Sequence, residues 1–198
     1  TQLGELLAYA GDGFPAGHPY ESVSAIPADA PLPPLWILGS SEYGAQVAAA
    51  LGVGFAFARH LNPRGAEAIM RAYRDAFRPS QDMAEPTAIL TVSAIAADTP
   101  ERADELATSM GLGLVRMRQG RPTPLPSPEE AAAHRYTPHE QDQIRRYRRA
   151  QVLGDAAGVR DEILALADAT AADEVMVMTS VHDHGERRRS YELIAEAL

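Results

Sequence analysis

At 198 residues the chain is long enough to bury one sizeable core, and its 45% hydrophobic and 23% charged residues are those of ordinary globular material. A net charge of −9 argues against a nucleic-acid partner, whose binding needs a basic face, and the absence of cysteine excludes disulfides, thiolate ligands and thiol nucleophiles. With no run of about 18 apolar residues and no secretion signal, a cytoplasmic protein without a membrane partner is expected. All 18 basic residues are Arg, a compositional bias to which no function attaches.

In chain order, Leu3, Leu6, Leu7 and Tyr9 predict a short helix over 3–10, followed by a Gly/Pro-rich connector from Gly11 to Pro33. Leu35 to Leu38 is apolar without alternation, as expected of a parallel strand covered on both faces. Trp36 within it reads as core packing rather than a stacking partner. Gly39, Ser40 and Ser41 stop that strand, a helix follows, and Phe55–Ala58 is the next strand, making a βαβ unit. Arg59, His60 and Asn62 follow it, then a helix from about Pro63 to Phe77 that Pro79-Ser80 ends. Thr87–Ala96 is a third strand. Thr99-Pro100-Glu101 opens a helix with Thr at the cap, Pro at the first position and an acid in the first turn, and Gly111 and Gly113 loosen its end.

Residues 118–140 hold Pro122, Pro124, Pro126 and Pro128 in close succession and predict an irregular insertion, of the kind that often walls an active site. Glu140 to Leu153 then predicts a helix with Ile144, Tyr147 and Val152 inward and Arg145, Arg146, Arg148 and Arg149 mostly solvated. Another helix runs over Val159–Ala167, introduced by Gly154 and Gly158. Alternating strands and helices predict four parallel strands near 35–38, 55–58, 87–96 and 174–179, each covered by helices, in a single domain over 1–198. An isolated sheet of that kind leaves both edges open, so a covering partner is expected.

Functional groups in such folds stand at the C-terminal ends of strands. Those ends carry Gly39, Ser40 and Ser41; then Arg59, His60 and Asn62; then Asp98; then Thr179, Ser180, His182 and Asp183. Backbone N–H groups at a helix start lack intrahelical partners, so Ser40, Ser41 and the amide near Gly44 read either as an ordinary helix cap or as a phosphate cradle. His60, His182 and His184 do not converge at metal-ligand spacing, and no metal is expected. His60 is the candidate catalytic side chain, its ordinary pKa permitting proton exchange near neutral pH.

The segment Pro34-Leu35-Trp36-Ile37-Leu38-Gly39-Ser40-Ser41, with the helix, Leu51-Gly52 and Phe55-Ala56-Phe57-Ala58 that follow, resembles the luciferase-like, flavin-dependent monooxygenase family. So do Tyr73 to Ser80, Ala94 to Thr99, Asp173 to Val177, and Arg187 to Leu193, in the same order along the chain. The resemblance implies the C-terminal half of a (β/α)₈ barrel, strands five to eight, with strands one to four expected in whatever precedes Thr1. It implies FMN as cofactor, its phosphate at Gly39, Ser40, Ser41 and Gly44, and oxygenation of a small organic substrate by reduced FMN and molecular oxygen. The reduced flavin would come from a separate flavin reductase. F420 in place of FMN, or a non-catalytic half-barrel that binds a partner, remain as alternatives. A homodimer, or pairing with a missing N-terminal half, is expected to cover the sheet edges, and the 198-residue chain alone is expected to be inactive.

Overall fold

The computed structural model describes residues 2–11, 13–27 and 33–198, and the chain divides into two compact units, Thr1–Leu35 and Trp36–Leu198. In the first unit, helix α1 (Gln2–Ala10) stands where the sequence predicts it, with Leu3, Leu7 and Tyr9 partly buried and Leu6 exposed. The connector after it carries an aromatic knot in which Phe14 stacks on His18 at 4.5 Å and meets Tyr9 edge-on at 4.7 Å.

The second unit runs β1 (Trp36–Gly39), α2 (Glu42–Leu51), β2 (Gly54–Ala58), α3 (Ala66–Ala76), β3 (Ala88–Ala96), α4 (Pro100–Arg118), α5 (Pro128–Ala133), α6 (Pro138–Arg148), β4 (Gln151–Gly154), α7 (Ala156–Thr170), β5 (Glu174–Met178) and α8 (His184–Ala197). Among the described residues every strand pairing is parallel. β1 pairs with β2, and β2 with β3 from Phe55↔Ala88 to Ala58↔Thr91. β5 pairs with β3 from Ile89↔Glu174 to Ser93↔Met178, and β4 with its last residues, Ser93↔Gln151 to Ala96↔Gly154. Arg59, just past β2, donates to the carbonyl of Ala150, just before β4, while Thr179, just past β5, donates to the carbonyl of Ala94. β2 and β4 therefore follow one another along one edge of β3, and β5 occupies the other.

Alternation along the strands sorts the two faces. Phe55, Phe57, Leu90, Val92 and Val152 are fully buried against Ile69, Met70 and Tyr73 of α3, Val159 and Ile163 of α7 and Ile194 of α8. The hydroxyl of Tyr73, 2.9 Å from the carbonyl of Val53 and 3.2 Å from that of Thr87, ties α3 to the beginnings of β2 and β3. On the opposite face Ala56, Ala58, Thr91 and Ser93 in the middle of the sheet are also buried, and at the far end Ile95 packs against Ala103, Leu106 and Ala107 of α4. The margins of that face, on β1 and β5, are open: Leu38 is 67% exposed, Met176 56% and Trp36 36%.

This corrects the expectation that β1 is covered on both faces, since among the described residues helices α2, α3, α7 and α8 form a layer on one face alone. Trp36 lies flat on the sheet instead of inside a core, its ring against Gly54, where a Cβ would have no room.

The four expected strands are present within a residue of their predicted ends. The fifth, β4, falls where a helix was expected to reach Leu153. β3 outlasts β2, and the backbone groups of Ser93 to Ala96 need partners that only a strand supplies. Gly111 and Gly113 do not loosen α4. A Cβ at Gly111 would sit 3.3 Å from Ile144, so the glycine lets α6 pack closely while the helix runs on to Arg118. The stretch expected to be irregular also contains α5 and the start of α6, each with Pro at its first turn and a reciprocal capping box, Ser127 with Glu130 and Thr137 with Glu140. The helix after β4 starts at Ala156 on an Asp155 cap, with Gly158 inside it rather than before it. Among the described residues no helix is long and apolar enough to cross a membrane.

Candidate functional site

The β1–α2 turn is tight because its glycines meet: a Cβ on Gly39 would lie 3.6 Å from the Cα of Gly44. Ser41 takes the extended backbone of a helix N-cap, φ −145° and ψ 163°, yet its side chain makes no capping hydrogen bond. The simple capping role is thus unfilled, and the amides of Glu42, Tyr43 and Gly44 begin the helix without intrahelical acceptors. The carbonyl of Ser40 accepts from Asn62 Nδ2 at 2.9 Å, which fixes this turn to the loop after β2. Glu42 is exposed. The turn therefore offers amides, two serine hydroxyls and the positive end of a helix dipole, the donor set that suits a phosphate dianion.

His60 is part-buried beside β3. Its Nδ1 lies 2.9 Å from Thr91 Oγ1, and Thr91 Oγ1 in turn lies 3.1 Å from the carbonyl of Phe57. A carbonyl can only accept, so the Thr91 hydroxyl donates there and accepts from His60 Nδ1–H. This fixes the neutral tautomer with the Nε2 lone pair uncommitted. Burial lowers the pKa of His60 from its ordinary 6.5, keeping it neutral at pH 7. Arg59 is buried; desolvation lowers its pKa and the carboxylate of Glu162 offsets part of that. Its Nη1 donates to Ala150 at 2.9 Å.

Arg59, His60 and Asn62 form one wall of a cleft of about 770 Å³, and α6 forms the other. The four β1–α2 turn residues and His60 thus stand at adjoining strand ends, linked through Asn62.

The remaining strand-end candidates do not join them. Thr179 donates to Ala94, His182 Nδ1 to the carbonyl of Leu125 at 2.7 Å, Asp183 caps α8, and Asp98 accepts from Arg189 at 3.5 Å. Among the described residues no group of three or more His, Cys, Asp or Glu is placed to hold a metal.

Sequence reasoning missed two contributors. Thr91 sits in an apolar run that reads as core, and its contact with His60 spans 31 positions. Arg145 and Arg146 of α6 and its C-cap Arg149 are exposed, as the sequence implies, but they also line the cleft, which it did not show. The sequence signal available was an excess of charge, since Arg145, Arg146, Arg148 and Arg149 outnumber the two acids of the helix, Glu140 and Asp142.

The model of the luciferase-like monooxygenase family matches residues 3–178. The chain is 37% identical over 182 residues to a luciferase-like monooxygenase of Escherichia coli (strain K12), covering 92% of this chain and 54% of that protein. The crystal structure of apo-MsnO8 superposes with a TM-score of 0.82 at 33% identity, covering 99% of this chain and 58% of that one. A coenzyme F420-dependent tetrahydromethanopterin reductase from Methanopyrus kandleri shares the fold, with a TM-score of 0.59 at 17% identity over all of this chain and 61% of that one. The chain thus spans a little over half the length of each of these relatives. Sheet, turn and sequence agree: the chain belongs to the luciferase-like monooxygenase family.

Proposed function

We propose that this chain is part of an FMN-dependent monooxygenase, which uses reduced FMN and molecular oxygen to oxygenate a small organic substrate. The observation that carries the reading is the β1–α2 turn, with amides lacking intrahelical acceptors, a Ser41 side chain that does not cap its helix, and a backbone pinned by Asn62. Ser40, Ser41 and the amide of Gly44 would hold the phosphate. Bound FMN would supply the electrons for oxygen reduction, while the protein binds and orients.

His60 contributes a neutral imidazole whose Nε2 can accept a proton, with Thr91 holding the tautomer. A separate flavin reductase supplies reduced FMN, and the protein works in the cytoplasm. The open face bearing Leu38 and Met176 is closed by association, either with a second copy or with an N-terminal half barrel. Until it is closed water reaches that face, so the 198-residue chain alone does not turn over.

Titration of the chain with FMN tests the cofactor reading. Changing Ser40 and Ser41 together to Ala should weaken binding by about 1–3 kcal/mol, the loss of hydrogen bonds to a charged group. Unchanged affinity removes the serines from the site. Tighter binding of F420 than of FMN, sensitive to the same two serines, would replace the cofactor and leave the site in place.

A further inference from the structure

The cleft beside the β1–α2 turn has a charge opposite to that of the chain as a whole. Arg59, Arg64, Arg118, Arg145, Arg146 and Arg149 line it, facing a single lining carboxylate, Asp142. Asp142 is already shared, lying 3.4 Å from Arg145 and 2.8 Å from Arg146. Among the described residues Arg59, Arg64, Arg118 and Arg149 have no carboxylate within ion-pair distance. In a chain of net charge −9, a third of all the arginines thus converge on one cleft that has a single lining carboxylate.

Six arginines lining one cleft give it a positive potential, which favours an anion there. Arg59 shows that the cleft is built and is not merely a solvated surface. The residue is 8% exposed, and its guanidinium is held at Nη1 by the carbonyl of Ala150, which sets the direction of the rest of the fork. Guanidinium forks suit carboxylate and phosphate oxygens in bidentate fashion. The ring of Tyr147 in the same lining supplies a surface for an organic body, and about 770 Å³ is room for a metabolite-sized molecule.

We propose that this cleft binds the substrate of the oxygenation reaction, and that this substrate is an organic molecule carrying at least two phosphate or carboxylate groups, held by Arg59, Arg118 and Arg149. The assignment of the occupant as substrate rests on the flavin reading above; the anion site itself does not. It separates the two ligands by place, with the cofactor phosphate at Ser40 and Ser41 and the substrate anions on the arginines across Asn62.

The test is calorimetric titration of the 198-residue chain at fixed ionic strength with tripolyphosphate, citrate and acetate. Tripolyphosphate or citrate should bind and acetate should not, and whichever of the two binds tighter identifies the anionic group. Arg118→Gln with Arg149→Gln, two exposed positions, should weaken that binding at least tenfold. Arg160→Gln, on α7 and paired with the neighbouring Asp161, should leave it unchanged. Acetate binding as tightly as tripolyphosphate and citrate, or equal weakening by Arg160→Gln, would show nonspecific charge attraction and overturn the proposal. Unchanged binding in the double arginine variant overturns it too.

FMN titrations of the same variants keep the two readings apart. If FMN binding falls with the arginines and ignores the serines, the cleft holds the cofactor phosphate and the substrate assignment is overturned. If FMN fails to bind the unaltered chain while tripolyphosphate binds and responds to the arginines, the anion site stands and the flavin reading falls.

Discussion

His60 has one ring nitrogen committed and the other available, and burial favours its neutral form. Its pKa is lowered on folding, so the unfolded chain takes up the proton first as pH falls. The neutral histidine's contribution is therefore fully present above its ordinary 6.5, is lost as pH drops from there, and is gone below the folded value. Unfolding free energies measured by urea between about pH 8 and about pH 5 should show this loss. In His60→Asn, which keeps a donor towards Thr91, that part of the slope should vanish; an unaltered slope would refute the assignment. At this scale the strand-end residues were legible because turn signals and strand length place them. Thr91 and the cleft position of the α6 arginines were not, because a hydroxyl in an apolar run acquires meaning only from what folds against it, and an excess of charge on a helix does not say which cleft it lines.

Between elements, Asp173 does the work of a clasp. Its Oδ2 accepts from the amide of Ala88 at 2.7 Å and from Arg74 Nη2 at 2.6 Å, while its own amide donates to the carbonyl of Ala88 at 2.9 Å. One residue thereby sets the register of β5 on β3 and holds α3 to both. Asp173→Ala should lower stability by about 1–3 kcal/mol in denaturant unfolding, and Asp173→Asn by less because an acceptor oxygen remains. An alanine variant as stable as the parent would show the clasp to be idle. The start of α4 was readable because a capping residue precedes Pro: Thr99 accepts from the amide of Arg102 at 3.2 Å as its sequence implies. The same signals precede α5 and α6 but lay hidden in a proline-rich stretch. β4 was unreadable for a different reason, since it exists only because β3 offers it unpaired backbone.

At the scale of the whole molecule, the layer of α2, α3, α7 and α8 leaves one face of the sheet bare at Trp36, Leu38 and Met176. Exposed apolar side chains on a sheet are adhesive, and the chain should self-associate with concentration in sedimentation measurements. Leu38→Ser together with Met176→Ser should suppress that association. The two changes should alter unfolding free energy by no more than about 0.5 kcal/mol per site, because neither side chain is in the core. Association that persists undiminished would place the contact elsewhere.

The pairing pattern around β3 also governs when this protein can finish folding as it is made. β3 receives β2 early, but its second edge waits for β5, and the amide of Ala96 waits for the hydroxyl of Ser190 in α8, the last helix of the chain. While the ribosome is still translating the segments between, the nascent chain carries an apolar strand with one side unfilled. Its period of greatest vulnerability to misassembly therefore lasts until α8 has cleared the exit tunnel.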